Sequence, residues 1–422
     1  MTQSRVQPAP LARWLGSQYR YSLLAASLAG ALAPAYVIRW KVGPLPTTLL
    51  EVAILATIAV FAIETVQQRL PIEWRGPLTP PAILFIVAGA ISVLVSGDHR
   101  AALGLFRAYF LEPAAFFLIV GAVASTPRRA GLILLGFAAG GAVAAVLNAA
   151  VVLDAIRHHV LDLATTPPVV IYQTANAVSL YLIPLVAMAA AILLHGRGRA
   201  ERWLSGLFLA VALPACLLSF SRGGYLALAA VALGLAISHR WAKLLVPAVV
   251  VAALAVSQVP LIRHRIAYEL QAVPGNTLDF RLRIWGQTLR MLTHSPLLGI
   301  GLSYYQQAMG PYWQDLPKVI YPHNIVLNFW AVTGILGLAG FFWLAIRAFV
   351  LGWQGWHKHP ADWRPYDLGV MLALVAMAVH GLVDVPFFKN DLSFEFWALL
   401  GILWAAYRWS RGGAALYGRA GA

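Results

Sequence analysis

Residues 318–340 read KVIYPHNIVLNFWAVTGILGLAG. The stretch opens polar and becomes an apolar run, read as a helix over about 323–351. That length exceeds the roughly 20 residues needed to cross a bilayer. His323 and Asn324 stand where the polar text meets the apolar text.

The same pattern recurs outward from this point. Apolar segments at about 21–38, 46–66, 79–96, 104–125, 130–153, 169–194, 203–219, 222–238, 244–261, 367–386 and 393–409 complete the set. The expectation is an all-α polytopic membrane protein with about 12 transmembrane helices. Composition agrees, because the chain is 60% hydrophobic and only 11% charged, against roughly 25% charged residues in soluble domains. Residues 1–261 would hold nine spans, 262–322 one large outward loop containing helices, and 323–422 three spans and a tail. Cys216, the single cysteine, lies in an apolar run, so an intramolecular disulfide is excluded.

The net charge of +15 raises nucleic acid as a partner, but the charges follow topology instead. With the N-terminus inside, Arg5, Arg13, Arg20, Arg69, Arg75, Arg128, Arg129, Arg197, Arg199, Arg202, Arg240, Lys243, Lys358, Arg364, Arg408, Arg411 and Arg419 face the cytoplasm. The short outward segments carry only Arg39, Lys41, Arg100, Arg157, Arg222 and Lys389. Basic residues concentrate on the cytoplasmic side of membrane proteins. Both termini are therefore expected in the cytoplasm, and nucleic acid is not an expected partner.

Inside the large loop, DFRLRIWGQTLRMLTH (279–294) reads as an amphipathic helix. Leu282, Trp285, Leu289 and Leu292 recur at three-to-four spacing. SPLLGIG (295–301) follows as a turn, then the aromatic LSYYQQAMGPYW (302–313). The chain shows no P-loop, no glycine-rich nucleotide fingerprint and no acid–histidine cluster with metal spacing. No cofactor and no metal are expected.

Arginine stands out on the outward side. Arg222 follows Ser221 at the mouth of a span, and Arg281, Arg283 and Arg290 lie on the loop helix. A guanidinium offers a planar fork of donors suited to phosphate; it also snorkels at membrane surfaces, and both readings stand. Gly223 and Gly224 would leave room for a ligand. Arg281 and Trp285, four apart, share a helix face, which suits a lipid phosphate.

His323 is a poor cap and a good general base near neutral pH. Asn324 reads equally as helix cap and as ligand. Buried polar residues form a third set: Arg107 with Glu112, Asn176 beside Gln173, and His380 with Asp384. Ionisable residues inside spans are functional suspects. The pairs Arg107–Glu112 and His380–Asp384 also read as neutralised pairs holding helices together. Glu51 and Glu64 have no evident partner.

The segments together resemble the bacterial O-antigen ligase and O-antigen polymerase superfamily. YPHNIVLNFWAVTGILG is similar to its histidine motif, at His323, Asn324, Gly334 and Gly337. FRLRIWGQTLRMLTHSPLLGIG resembles its Arg-x-x-x-Trp segment and following turn, at Arg281, Trp285, Pro296, Gly299 and Gly301. SFSRGG resembles its Ser-Arg-Gly, at Ser221 and Arg222, and YQTANAVSLYLIP a weaker Asn-containing span. The pattern departs at Val332, where the family often has an acid.

The resemblance implies a GT-C-like glycosyltransferase in the bacterial inner membrane with a periplasmic active site. It implies transfer of O-antigen polysaccharide from undecaprenyl diphosphate to lipid A core, inverting, without metal or ATP. His323 would be the base, with Arg222 and Arg281 on the diphosphate. Arg283, Arg290, Asn324, Ser221, Trp285 and Tyr321 would bind donor or acceptor, with Asn176, His380 and Asp384 as secondary candidates. The aromatic loop segment would face sugars, and membrane lipids would surround the spans. A polymerase of the same family is the nearest alternative. A twelve-span transporter or lipid flippase is the alternative of another class.

Overall fold

The structure is a computed structural model that describes residues 18–43, 45–161, 167–258, 263, 267, 276–313 and 316–413. Arg5, Arg13, Arg419, both chain termini and much of the start of the predicted loop lie outside the described residues. Helix α1 (Arg20–Ala31) and a 3-10 turn (Ala33–Val37) lead to an antiparallel hairpin, β1 (Arg39–Val42) with β2 (Leu45–Thr48). Then come α2 (Leu49–Gln68), α3 (Thr79–Val95), α4 (His99–Val123), α5 (Pro127–Arg157), α6 (Ala175–His195), α7 (Arg199–Leu218), α8 (Arg222–Ser238) and α9 (Ala242–Ser257). The loop supplies α10 (Thr277–Leu292) and one-turn α11 (Tyr305–Ala308), followed by α12 (Ile325–Lys358), α13 (Arg364–Gly381) and α14 (Asn390–Arg408).

A helix stands at each predicted apolar segment. Six of them, α2, α4, α5, α6, α7 and α12, are long and apolar enough to cross a membrane. Helices α3 and α8 are apolar but shorter. The hairpin is a departure from the all-α expectation. The bundle forms around α6, α13 and α14, which are buried on nearly every side. Their lack of a polar face fits that position. Helix starts follow local chemistry: Thr48 and Glu51 close a capping box on α2, while Ser221, Asn276 and Asn324 cap α8, α10 and α12.

The predicted span at 323–351 is not one straight helix. Gly334 breaks α12 with φ 67° and ψ −176°, a backbone state closed to residues with a Cβ. The turn 295–301 enters the break. Ile335 N donates to Leu297 O at 2.9 Å, and Ile300 N donates to Ala331 O at 2.7 Å. Gly299, at φ 67°, lies so close that a Cβ would collide with the carbonyls of Trp330 and Ala331. From the other side, Ser92 of α3 donates to Val332 O (2.5 Å) and accepts from Leu302 N (2.9 Å). The freed backbone groups of the broken helix are thereby satisfied, as apolar surroundings require. The turn-rich stretch is a wedge in the bundle, not a loop above it.

Two loop expectations are corrected. The buried face of α10 is Ile284, Thr288, Met291 and Leu292, whereas Leu282 and Leu289 are exposed. The helix docks through Thr288, which shares a 2.7 Å hydrogen bond with the buried Tyr305 hydroxyl. In the aromatic segment 302–313, Tyr305 and Trp313 are buried while Tyr304 and Tyr312 are half-buried. Tyr305, Met309 and Trp313 form a small core with Ile284, Met291 and Leu292.

Candidate active site

Several helix ends meet beneath α10, at what is called here the loop end of the bundle. There Asn176, Ser221, Arg222, Thr277, Arg281 and His380 surround a cavity of about 270 Å³. The starts of α6, α8 and α10 all point to it. A helix start carries a partial positive charge and unpaired N–H groups. Three of them, with Arg222 and Arg281, make the cavity a place for an anion. The end of α13 contributes His380 and, just beyond, Asp384.

The Ser-Arg-Gly-Gly turn is explained by packing. Ser221 Oγ accepts from Gly224 N at 3.2 Å and lies 3.4 Å from His380 Nε2. At Gly223 a Cβ would meet the His380 ring, and at Gly224 the Ser179 side chain. These glycines let α8 approach α13 and α6 closely, and Gly223 also lines the cavity beside Arg222.

His323 is built into the same region. Its φ is 52°, an uncommon state for a residue with a side chain. Both flanks hold it there. Trp285 Nε1 donates to Pro322 O at 2.9 Å. Asn324 caps α12 by accepting from Leu327 N at 3.0 Å, and its amide donates to Leu382 O at 3.0 Å. Trp285 thus hydrogen-bonds the backbone just before His323, and Asn324, read equally as cap and as ligand, caps α12. The imidazole packs against Tyr321, ring centres 4.6 Å apart, and Phe280, at 6.2 Å.

The pairing expected of His380 with Asp384 is replaced by another. Asp384 Oδ1 lies 3.5 Å from His323 Nδ1, and Asp384 Oδ2 accepts from Asn176 Nδ2 at 3.2 Å. Asp384 sits in the turn after α13, where its backbone N still donates to His380 O at 3.0 Å while its carboxylate turns to His323 and Asn176. Burial pushes the Asp384 carboxyl up, but His323 beside it, with His380 and Lys389 beyond, outweighs burial. The carboxyl is held well below the usual carboxylate range. At 3.5 Å this is an ion-pair contact rather than a hydrogen bond, for His323 Nδ1 has no hydrogen-bond partner among the described residues. Asp384 and Asn176 connect His323 to the cavity wall.

Of the described loop arginines only Arg281 lines the cavity. Arg283 is exposed and lies 3.9 Å from Asp279 on its own helix, and Arg290 is exposed near the helix end. A separate apolar groove of about 330 Å³ runs between α12 and α13, with Phe341, Phe342, Ile346, Phe349 and Leu374 along it. It reaches Ile325 and Leu382, next to Asn324 and to Val383 of the cavity wall. The residues missed by sequence reasoning are Phe280, Thr277 and the Asp384–His323 contact. Only the last left a trace, an acid in an outward turn.

No curated protein matches the chain. A protein-family model described as O-Antigen ligase matches residues 207–342. That range holds Arg222, Arg281 and His323 but not Asn176, His380 or Asp384. Residues 207–342 of the chain are thus similar to the O-antigen ligase family.

Proposed function

We propose that the protein is a membrane glycosyltransferase that moves a glycan from polyprenyl diphosphate to an acceptor hydroxyl at the loop end. The observation that carries this is the cavity where Arg222, Arg281 and three helix starts meet beside His323. The donor's sugar–diphosphate bond already holds the activation, so the reaction needs no nucleotide. His323 Nε2 takes the acceptor hydroxyl proton while that oxygen attacks the anomeric carbon. The anomeric C–O bond to the diphosphate breaks, polyprenyl diphosphate leaves, and the sugar inverts. Negative charge grows on the leaving diphosphate, where Arg222 and Arg281 meet it. Preorganised positive groups of this kind are often the largest catalytic factor. Asp384 positions His323 and stabilises the imidazolium that forms.

The apolar groove between α12 and α13 would hold the polyprenyl tail, since it begins beside the cavity wall. In the specific reading, the donor is undecaprenyl-diphosphate O-antigen, the acceptor lipid A core, and the loop end faces the periplasm. A polymerase would use the same groups and differ only in its acceptor. Complementation of a ligase-null strain tests the choice. Polymer restored on lipid A core is expected. Restored chain length without that linkage identifies a polymerase. Labelled lipid moved across vesicles without glycan transfer overturns the enzyme reading in favour of a flippase.

A further inference from the structure

The other end of the bundle carries a second cavity, of about 370 Å³, between α5, α6 and α7. Its walls are apolar, with Leu132, Leu135, Leu185, Met188 and Phe208 along them. Its rim is basic: Arg128 starts α5 and Arg199 starts α7, both exposed, with Glu201 the one acid among the described lining residues. Arg129 also borders it, but its guanidinium is committed to Gln18 O and Ser125 Oγ.

One polar group lies inside. Tyr366, at the start of α13, lines the cavity and is 2% exposed. Its hydroxyl has no hydrogen-bond partner among the described residues. It sits against Gly131, where an added Cβ would lie 2.9 Å from the hydroxyl oxygen. A buried donor left unpaired is costly, and one aimed into a cavity is expected to meet an acceptor that the protein does not provide.

We propose that this cavity is a specific site for an anionic glycerophospholipid of the leaflet at that end. One acyl chain lies in the apolar cleft, the phosphate meets Arg128 and Arg199, and the Tyr366 hydroxyl donates to an ester or phosphodiester oxygen. Each part of the site selects a part of this ligand. Ordinary annular lipid explains an apolar wall, but not a buried phenol and a two-arginine rim at one cleft. A zwitterionic lipid would gain less, because its ammonium group offsets the phosphate charge that the rim attracts. The site is far from the candidate active site and independent of the proposed reaction.

The test is native mass spectrometry of the purified full chain in detergent, titrated with phosphatidylglycerol or phosphatidylcholine of identical acyl chains. Retention of phosphatidylglycerol is expected to be about tenfold tighter, given the attraction of each surface arginine to anionic lipid. The double variant Arg128→Gln/Arg199→Gln should lose that preference, and Tyr366→Phe should weaken both lipids. Arg197→Gln/Arg240→Gln, which removes exposed charge elsewhere at the same end, should leave the preference intact. Equal retention of the two lipids by the unaltered protein overturns the proposal. An equal loss in both double variants also overturns it, by assigning the preference to general surface charge.

Discussion

Two polar clusters lie at the loop end, and in sequence they look alike. Each holds a basic residue and a carboxylate four or five residues apart inside apolar text: Arg107 with Glu112, and His380 with Asp384. The structure treats them differently. Arg107 lies 3.2 Å from Glu112 and 2.9 Å from Glu51, which in turn accepts from Asn390 at 3.1 Å. A π-helical turn over Arg107–Leu111 brings residues five apart onto one face. The first cluster is thus closed inside the bundle, with one guanidinium shared by two carboxylates. In the second, the Asp384 carboxylate contacts His323 and Asn176, and Asn176 and His380 line a cavity. A closed cluster fastens helices, whereas an open one has an unspent proton acceptor. Substitutions should therefore cost activity in one and stability in the other.

The largest effect is expected at His323. His323→Ala should lower transfer from a lipid-linked donor by about 10²- to 10⁴-fold, the usual range for a general base. Its yield and melting temperature should match the unaltered protein. Normal transfer by well-folded His323→Ala would end the base assignment and make the second cluster as structural as the first.

Next comes Asp384→Asn, which keeps the shape and removes the charge. We expect kcat to fall about 100-fold, below the roughly 10⁴-fold known for a triad aspartate, with little change in KM for the donor. An equal rise in KM would mean that Asp384 shapes the donor site instead. Because its folded-state carboxyl is held low, Asp384 stays ionised through neutral and mildly acidic pH. Its stabilisation is fully present above the unfolded value of about 3.9 and is lost only as pH falls toward the depressed folded value.

The closed cluster should respond in the opposite way. Arg107→Gln leaves Glu51 and Glu112 buried without their cation. Breaking a buried pair costs about 3–5 kcal/mol, and the lower end applies because the Arg107 side chain is 30% exposed. Activity per folded molecule should persist. Lost activity with unchanged thermal stability would erase the contrast between the clusters.

This contrast also shows what the sequence can carry. Apolar segment lengths located a helix at every predicted position, because burial in lipid or in the bundle demands such runs. The chemistry-bearing types at Arg222, Arg281 and His323 were legible for the same reason: polar groups at the edges of apolar text are few. Partnerships were not. His323 and Asp384 are distant in sequence, and the turn after Gly381 that joins them has no periodic signal. Helical spacing misled for the face of α10, since it assumes an apolar face where tertiary docking chooses another, and at Asp384 it found the neighbour His380 but not the carboxylate's contacts with His323 and Asn176. The glycines of 295–301 and Gly334 were visible as a motif. Their purpose, a wedge in a broken helix, depends on two segments meeting in space.

The smallest effect is expected at Arg283, and it sharpens the open cluster's boundary. Arg283 and Arg281 are two residues apart, so a helix points them in different directions. Arg281 lines the cavity, while Arg283 is exposed and faces Asp279 at 3.9 Å on its own helix. An exposed pair at this spacing contributes about 0.3–0.5 kcal/mol. Arg283→Gln should therefore change transfer less than about twofold, since less than 0.5 kcal/mol is at stake. Donor titrations with the Arg281→Gln and Arg283→Gln proteins side by side make the comparison. If Arg283→Gln lost as much donor affinity as Arg281→Gln, the diphosphate would have to bind across the outer face of α10, and the cavity beneath it would lose its assigned ligand.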